Sequence, residues 1–532
     1  MMQFTFTSKL VMSVLRLIVV LVLGCIAVGL EAQSLQRLHK KAMRAYEAND
    51  LEQALAYTDA ILKEKEDPTL LYRAGLAAFD IRDYRSAIAY LRRIPFSDRK
   101  GELAYTDYFL AMSYKGFGEY DRAIAQLDRF QKTNPQASEE LRVKDELEHC
   151  RWAREQLYFP VKIKIKNAGL AVNTADDDLS PLMYADKLYY STKRGNAAKL
   201  YSRITGFYAK PARENPDSKE GSIENIALTA DAQTMFFNIC DLETGDCILY
   251  RREKNYEGEW GVPKKLPRHI NLSGYTAKQP AVGYDRTLKR NVLYFVSDRP
   301  GGKGSLDIWA SIIERDGSYG EPFPLPFNTD QDEITPYFHQ ASQTLFFSSM
   351  GLTGFGGFDI FKCKKMTAES WSEPQNLGNP LNSSFDECYF TFHTSTKQAF
   401  FSSNRPGGVN DGSKRGLPSF DVYEAQVFVE LKPRILDAVY DYQICKATVV
   451  MEELITGELK TYQLKGNCDE VAIPLDLERI YTITIEVDDH LPVTIHLNTL
   501  GVNFTRLFEP EVKVQPDDAA YLAPKPNAVV KP

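Results

Sequence analysis

The chain changes its hydrophobic rhythm twice. Over residues 34–136 the apolar and small positions return with a period near 34, and inside each period they follow helical spacing. The segments KAMRAYEANDLEQALAYTDAIL, AGLAAFDIRDYRSAIAYLRRI and AMSYKGFGEYDRAIAQLDRF align. Small residues recur at Ala42, Gly75 and Ala111, and again at Ala54, Ala87 and Ala123, where two helices would cross closely. Tyr46, Phe79 and Tyr114 fall in or beside one aromatic position, and Pro135 sits where the repeat ends. Residues 137–157 are charged and helical, as a solvating cap should be. The pattern predicts helical repeats with a cap helix over residues 33–157.

From residue 158 the period becomes two. Five aromatic strand cores follow, ending at Tyr190, Phe237, Phe295, Phe347 and Phe401, with spacings of 47, 58, 52 and 54. Three of them continue into near copies of one string: SDRPGGKGSLDIW at 297–309, SSMGLTGFGGFDIF at 348–361, and SSNRPGG at 402–408 closing with Phe420-Asp421-Val422-Tyr423. Trp260-Gly261-Val262-Pro263 and Trp371-Ser372-Glu373-Pro374 mark a last strand, with Tyr319-Gly320-Glu321-Pro322 in the same place. Four short strands in each unit of about 50 residues predict a β-propeller over 158–426, of five blades with six as the alternative. The alternating stretch Val161–Lys166 is expected to supply the missing outer strand of the fifth blade. Residues 427–508 hold further alternating strands and no helical period, which predicts a small β-sandwich. The tail, 509–532, carries five prolines and is expected to hold no strand ladder and to be extended or disordered.

Ahead of all this, Lys9 and Arg16 precede an apolar run from Leu17 to Leu30 and then Glu31-Ala32-Gln33. That is the layout of a signal peptide, residues 1–32, cut after Ala32. Val22-Leu23-Gly24-Cys25 also reads as a lipidation signal, so Cys25 is either acylated or removed. Export into an oxidising compartment makes disulfides expected at Cys240–Cys247 and Cys445–Cys468, with Cys363 and Cys388 as a further pair and Cys150 left over.

The 532 residues suit about three domains. A net charge of −7 gives no electrostatic footprint for nucleic acid. No G-x-S-x-G, H-E-x-x-H or phosphate loop occurs, so no catalytic residue, metal or cofactor is expected. One recurring signature carries possible chemistry. Asn173, Asn328 and Asn382 each precede an acidic pair, Asp177-Asp178, Asp332-Glu333 and Asp386-Glu387, and His339 and His393 follow two of these. The acids would bind a cation at the channel mouth, or accept hydrogen bonds from neighbouring loops and pair with Arg299 and Arg405.

The helical segments resemble tetratricopeptide repeats, the middle resembles the WD40-like repeats of bacterial envelope proteins, and the sandwich resembles carboxypeptidase-regulatory-like domains. In this order the parts resemble the PorE-type periplasmic components of the type IX secretion and gliding machinery of the Bacteroidetes. The resemblance implies a non-enzymatic periplasmic scaffold or adaptor, peripheral to the outer membrane, that binds envelope proteins through its helical repeats and propeller. By repeat position the concave face would carry His39, Met43 and Leu76 besides the expected partner anchors Tyr46, Tyr72, Phe79, Tyr108 and Met112. The alternative is that these side chains pack against the next repeat. The OmpA-like domain that ends such proteins has no counterpart after Leu500, so no peptidoglycan anchor is expected. A rival function from another class is binding of glycan or peptidoglycan fragments by the propeller face.

Overall fold

The computed structural model describes residues 35–194, 197–204, 212–213, 222–409, 419–468 and 472–517. The expected signal peptide, Cys25 and the end of the tail lie outside these residues. The chain divides into two compact units, one running to Arg154 and one starting at Glu155, three residues before the boundary read from the sequence.

The first unit is helical. A helix over the described residues 35–47 (α1) is followed by α2 Leu51–Glu64, α3 Pro68–Asp80, α4 Tyr84–Leu91, α5 Thr106–Gly116, α6 Tyr120–Thr133, α7 Pro135–Glu140 and α8 Val143–Gln156. Three helices start on an aspartate whose side chain takes a free backbone N–H of the first turn: Asp50 from Gln53, Asp67 from Thr69 and Leu70, and Asp83 from Ser86. The recurring alanines Ala42, Ala54, Ala87, Ala111 and Ala123 are all fully buried, as a close helix crossing requires. A Cβ on Gly75 would run into Leu91, and one on Gly116 into Tyr84. The expected cap helix is broken in two at Leu141-Arg142, where Arg142 adopts a positive φ of 52°. Among the described residues no helix is long and apolar enough to cross a membrane.

The second unit is built of strands. After β1 Ile163–Asn167 come five four-stranded antiparallel sheets. Sheet one holds β2 Asp178–Tyr184, β3 Lys187–Arg194, β4 Ala197–Ile204 and β5 Ala212–Arg213. Sheet two holds β6 Ile226–Leu228, β7 Thr234–Cys240, β8 Cys247–Glu253 and β9 Lys264–Lys265. Sheet three holds β10 Ala277–Asp285, β11 Arg290–Ser297, β12 Asp307–Ile313 and β13 Phe323–Pro324. Sheet four holds β14 Glu333–His339, β15 Thr344–Ser349, β16 Asp359–Lys364 and β17 Gln375–Asn376. Sheet five holds β18 Glu387–His393, β19 Gln398–Ser403 and β20 Asp421–Val427, and its outer strand is β1, paired from Ile163 opposite Val427 to Asn167 opposite Tyr423.

Each aromatic core of the sequence is the second strand of a sheet. These strands are covered on both faces, so β15 is buried at every position and reads as a continuous apolar run. In four of the five the last aromatic stacks on an aromatic of the third strand: Tyr190 on Tyr201, Phe237 on Tyr250, Phe347 on Phe361 and Phe401 on Tyr423.

The C-terminal part comprises β21 Val429–Leu431, β22 Arg434–Asp437, β23 Gln443–Ile444, β24 Lys446–Glu453, β25 Glu458–Lys465, β26 Ile473–Pro474, β27 Ile480–Glu486, β28 Val493–Asn498, β29 Arg506–Phe508 and β30 Glu511–Val514. One sheet is four-stranded in the order β25-β24-β27-β28, and two are three-stranded, β26-β21-β29 and β23-β22-β30. The expectation that the tail from residue 509 holds no strand ladder is corrected here. β30 runs parallel to β22 and buries Val512 and Val514. Pro510 precedes the strand and Pro516 follows it, so neither removes a ladder N–H from its interior. The sandwich also lacks a core of its own, because one apolar cluster runs from Phe346 and Phe390 of sheets four and five into Val449, Ile483 and Phe504.

Candidate functional site

Four of the five expected anchors in the helices contact neighbouring side chains of the same unit. Tyr72 and Phe79 meet the ring of Phe109 edge-on at 6.2 and 5.7 Å, and Tyr108 meets it at 5.4 Å. Burial pushes the Tyr72 hydroxyl up to about 12. The Tyr46 hydroxyl lies 3.1 Å from Thr58 Oγ1, and Met112 is half-buried. The sequence reading missed Phe109, the centre of this aromatic chain, because it lies beside the repeat positions and not on them.

The expected disulfides are both present. Cys240 and Cys247 stand directly opposite each other at the end of β7 and start of β8, and Cys445 joins Cys468. Cys150, Cys363 and Cys388 are buried free thiols, so the further pair is not formed. Burial pushes the thiols of Cys150 and Cys363 up to about 12, which leaves them unreactive.

The recurring acids form staples between sheets. Asn173, Asn328 and Asn382 each take and give a backbone hydrogen bond with Val422, Ile308 and Ile360 of the preceding sheet. Asp177, Asp332 and Asp386 accept from the N–H of Phe420, Leu306 and Phe358. Asp178, Glu333 and Glu387 turn back to the N–H and hydroxyl of Thr174, Thr329 and Ser383. These are the hydrogen bonds of the second reading. His339 is buried between Ser342 and Thr394 and is held down to about 4 by desolvation. His393 is half-buried and bonds Thr396. Arg299 gives its guanidinium to the carbonyls of His269 and Ile270, whereas Arg405 does pair with Glu387, at 2.9 Å.

The first strands of the sheets pack on one another in sequence, and β18 packs back on β2. One hydrogen bond joins each neighbouring pair. Ser180 Oγ donates to Glu224 O at 2.5 Å, Asn225 Nδ2 to Pro280 O at 3.2 Å, and Thr335 N to Gln279 Oε1 at 3.0 Å. Tyr337 then donates to Phe392 O at 2.9 Å, and Thr391 Oγ1 to Pro181 O at 2.8 Å. Four of these strands share a bulge at this level, and each bulge carries a non-glycine residue with positive φ: Ser180, Gln279, Thr335 and Tyr389. Bulges re-aim side chains, and such strained backbone gathers at sites of function. Ser180, Thr335 and Tyr389 line a cavity of about 50 Å³ to which all five first-strand segments contribute. Gln279 Nε2 donates to the Tyr389 hydroxyl at 3.0 Å.

At the end where the first strands begin, charged groups from three sheets meet this ring. Glu224 is held above the usual carboxylate range by burial, against the opposing pull of Lys278 and Lys193. The Tyr389 hydroxyl is held well above its usual value by burial, with Glu224 and Asp177 adding to it. The mouth thus combines two carboxylates, two ammonium groups, a phenol and the Gln279 amide. Sequence reasoning missed all of these residues but Asp177, since none belongs to a motif and they are brought together only by the circular packing.

No protein-family model matches the chain, and no curated protein is similar to it. Solved structures similar to it include a thermostable family-43 glycoside hydrolase, at 11% identity and a TM-score of 0.34, covering 48% of this chain and 90% of that one. Another is an endo-arabinase from Bacteroides thetaiotaomicron, at 12% identity and a TM-score of 0.34, covering 48% and 96%. The helical part is similar to the TPR domain of P58(IPK), at 18% identity and a TM-score of 0.21, covering 24% of this chain and 35% of that one. These comparisons correct the expectation of a non-enzymatic scaffold of secretion or gliding machinery. Nothing in them connects the chain to such machinery, and the solved structures similar to its larger unit are enzymes that act on glycosides. Such scores assign no activity, so the chemistry has to be argued from the chain's own side chains.

Proposed function

We propose that this protein is an exported five-bladed β-propeller that binds glycan or peptidoglycan fragments at the mouth of its central channel. The observation that carries the reading is the convergence of Glu224, Lys193, Lys278, Gln279 and Tyr389 over the ring of strained first strands. A sugar presents hydroxyls that both give and take hydrogen bonds, so it is met by a carboxylate, an amide and a phenol in one small area. The two ammonium groups favour fragments that carry carboxylates, as peptidoglycan fragments do. A cavity of about 50 Å³ has room for a few waters. A sugar ring therefore sits on the mouth and not inside the channel. The five circular hydrogen bonds and the β1 strand on sheet five support the closed propeller, and the two disulfides support an oxidising compartment.

The test is calorimetric titration of the full chain with soluble peptidoglycan fragments and with neutral oligosaccharides, beside mass spectrometry of the sugars after incubation. Saturable binding of the fragments, weakened at least about tenfold by Lys278→Met, is the expected result. Cleaved products would make the mouth an active site as well. No heat and no saturation with either sugar class would remove the reading.

A further inference from the structure

One register position recurs at the end of every second strand, occupied by Thr192, Cys240, Ser297, Ser349 and Ser403. Opposite these on the third strands stand Lys199, Cys247, Asp307, Asp359 and Asp421. Opposite them on the first strands stand Asp178, Ser222, Ala277, Glu333 and Glu387. Where one sheet meets the next, the third-strand residue of one neighbours the first-strand residue of the other. Glu333 N–H donates to Leu306 O at 2.8 Å, beside Asp307, and Asp178 N–H donates to Phe420 O at 2.6 Å, beside Asp421.

The acids at these junctions come in pairs or not at all. Asp307 meets Glu333, Asp359 meets Glu387 and Asp421 meets Asp178, while the remaining junctions bring Lys199 to Ser222 and Cys247 to Ala277. Two buried carboxylates side by side repel each other, and each loses its hydration. At one junction Arg405 offsets this by pairing with Glu387. The other two junctions have no ion pair among the described residues. Asp178 and Asp421 are both fully buried. In each, Oδ2 accepts a backbone N–H, from Thr174 at 2.5 Å and from Val409 at 2.6 Å, while Oδ1 has no hydrogen-bond partner among the described residues. Asp307, 1% exposed, repeats this, with Oδ2 taken by Lys303 and Gly304 and Oδ1 left over.

We infer that a divalent cation of the hard, oxygen-seeking kind sits between Asp421 and Asp178, and a second between Asp307 and Glu333. A charge of two offsets two carboxylates, and calcium accepts the irregular oxygen set that carboxylates, backbone carbonyls and water provide. One cation would pin sheet five to sheet one and the other sheet three to sheet four, and neither uses a side chain assigned to the glycan site. One proton shared by each acid pair would occupy the same oxygens, and the experiment separates the two.

The full chain is stripped with a chelator and returned to calcium, and bound metal is counted by mass spectrometry and by terbium luminescence. Two bound equivalents and a calcium-dependent rise in the unfolding midpoint are expected. Asp178→Asn with Asp421→Asn then binds one equivalent, and so does Asp307→Asn. If the paired variant fails to fold, the count on the unaltered chain and on Asp307→Asn decides. No metal retained at millimolar calcium, with a midpoint that follows pH and not calcium, overturns the inference in favour of the shared proton.

Discussion

Sheets three to five and sheets one and two solve the same problem by different chemistry. In the first group the third strand begins with an aspartate that reels in a glycine-rich loop, as Asp307 does with the N–H groups of Lys303 and Gly304. A Cβ on Gly302 or Gly354 would collide with the carboxylate of Asp307 or Asp359, which is why these loops need glycine. In sheet two the same register position is a disulfide, Cys240–Cys247, and in sheet one it is Thr192 opposite Lys199. The regular sheets hold shape. The irregular ones supply Lys193 and Glu224 to the candidate site, and the regular ones supply Lys278 and Gln279 from sheet three and Tyr389 from sheet five. The site thus lies where the two kinds of sheet meet.

This comparison can be broken in several ways, the strongest first. Asp307→Ala leaves two backbone N–H groups without their charged acceptor and should cost about 3 kcal/mol of stability. Lys199→Ala, at the same register in sheet one, should stay within about 0.5 kcal/mol. Denaturant unfolding that gave equal costs would erase the distinction.

His339 sharpens the contrast within the regular group. Its folded imidazole titrates near 4 and the unfolded one near 6.5, so the native state binds fewer protons between those values. Stability from this group is therefore full above pH 6.5 and lost as the pH falls toward 4, by about 3 kcal/mol in all. His339→Asn should flatten the acid limb of a stability–pH curve, and an unchanged slope would place the acid sensitivity elsewhere. A smaller effect belongs to sheet two. Cys240→Ser with Cys247→Ser reopens a short loop and should cost about 2 kcal/mol. Unfolding of the unaltered chain with and without reductant checks the same quantity.

What could be read from the sequence was whatever a local pattern carries. The five second strands announce themselves because a strand covered on both faces must be aromatic and aliphatic at nearly every position, as Leu345-Phe346-Phe347 is. Val161–Lys166 declared its strand by alternation, and β1 lies there. β22, β23, β29 and β30 stayed hidden because they are two to four residues long and three of them pair in parallel with distant strands. Tyr72, Phe79 and Tyr108 were visible as aromatics, but their packing around Phe109 depends on helix crossing. Glu224 and Lys278 were invisible for a deeper reason. They lie on short segments 54 residues apart, with no motif around either, and only the circular packing of first strands makes them neighbours.

The central claim is that the mouth of the channel is a glycan site, and its most direct test is a single titration series. Soluble peptidoglycan fragments are titrated into the unaltered chain and into Glu224→Gln and Lys278→Met, with folding of each variant checked by its unfolding midpoint. The account predicts saturable binding by the unaltered chain and at least about tenfold weaker binding by both variants at unchanged stability. Equal binding by all three would place any glycan contact elsewhere on the molecule and contradict the account.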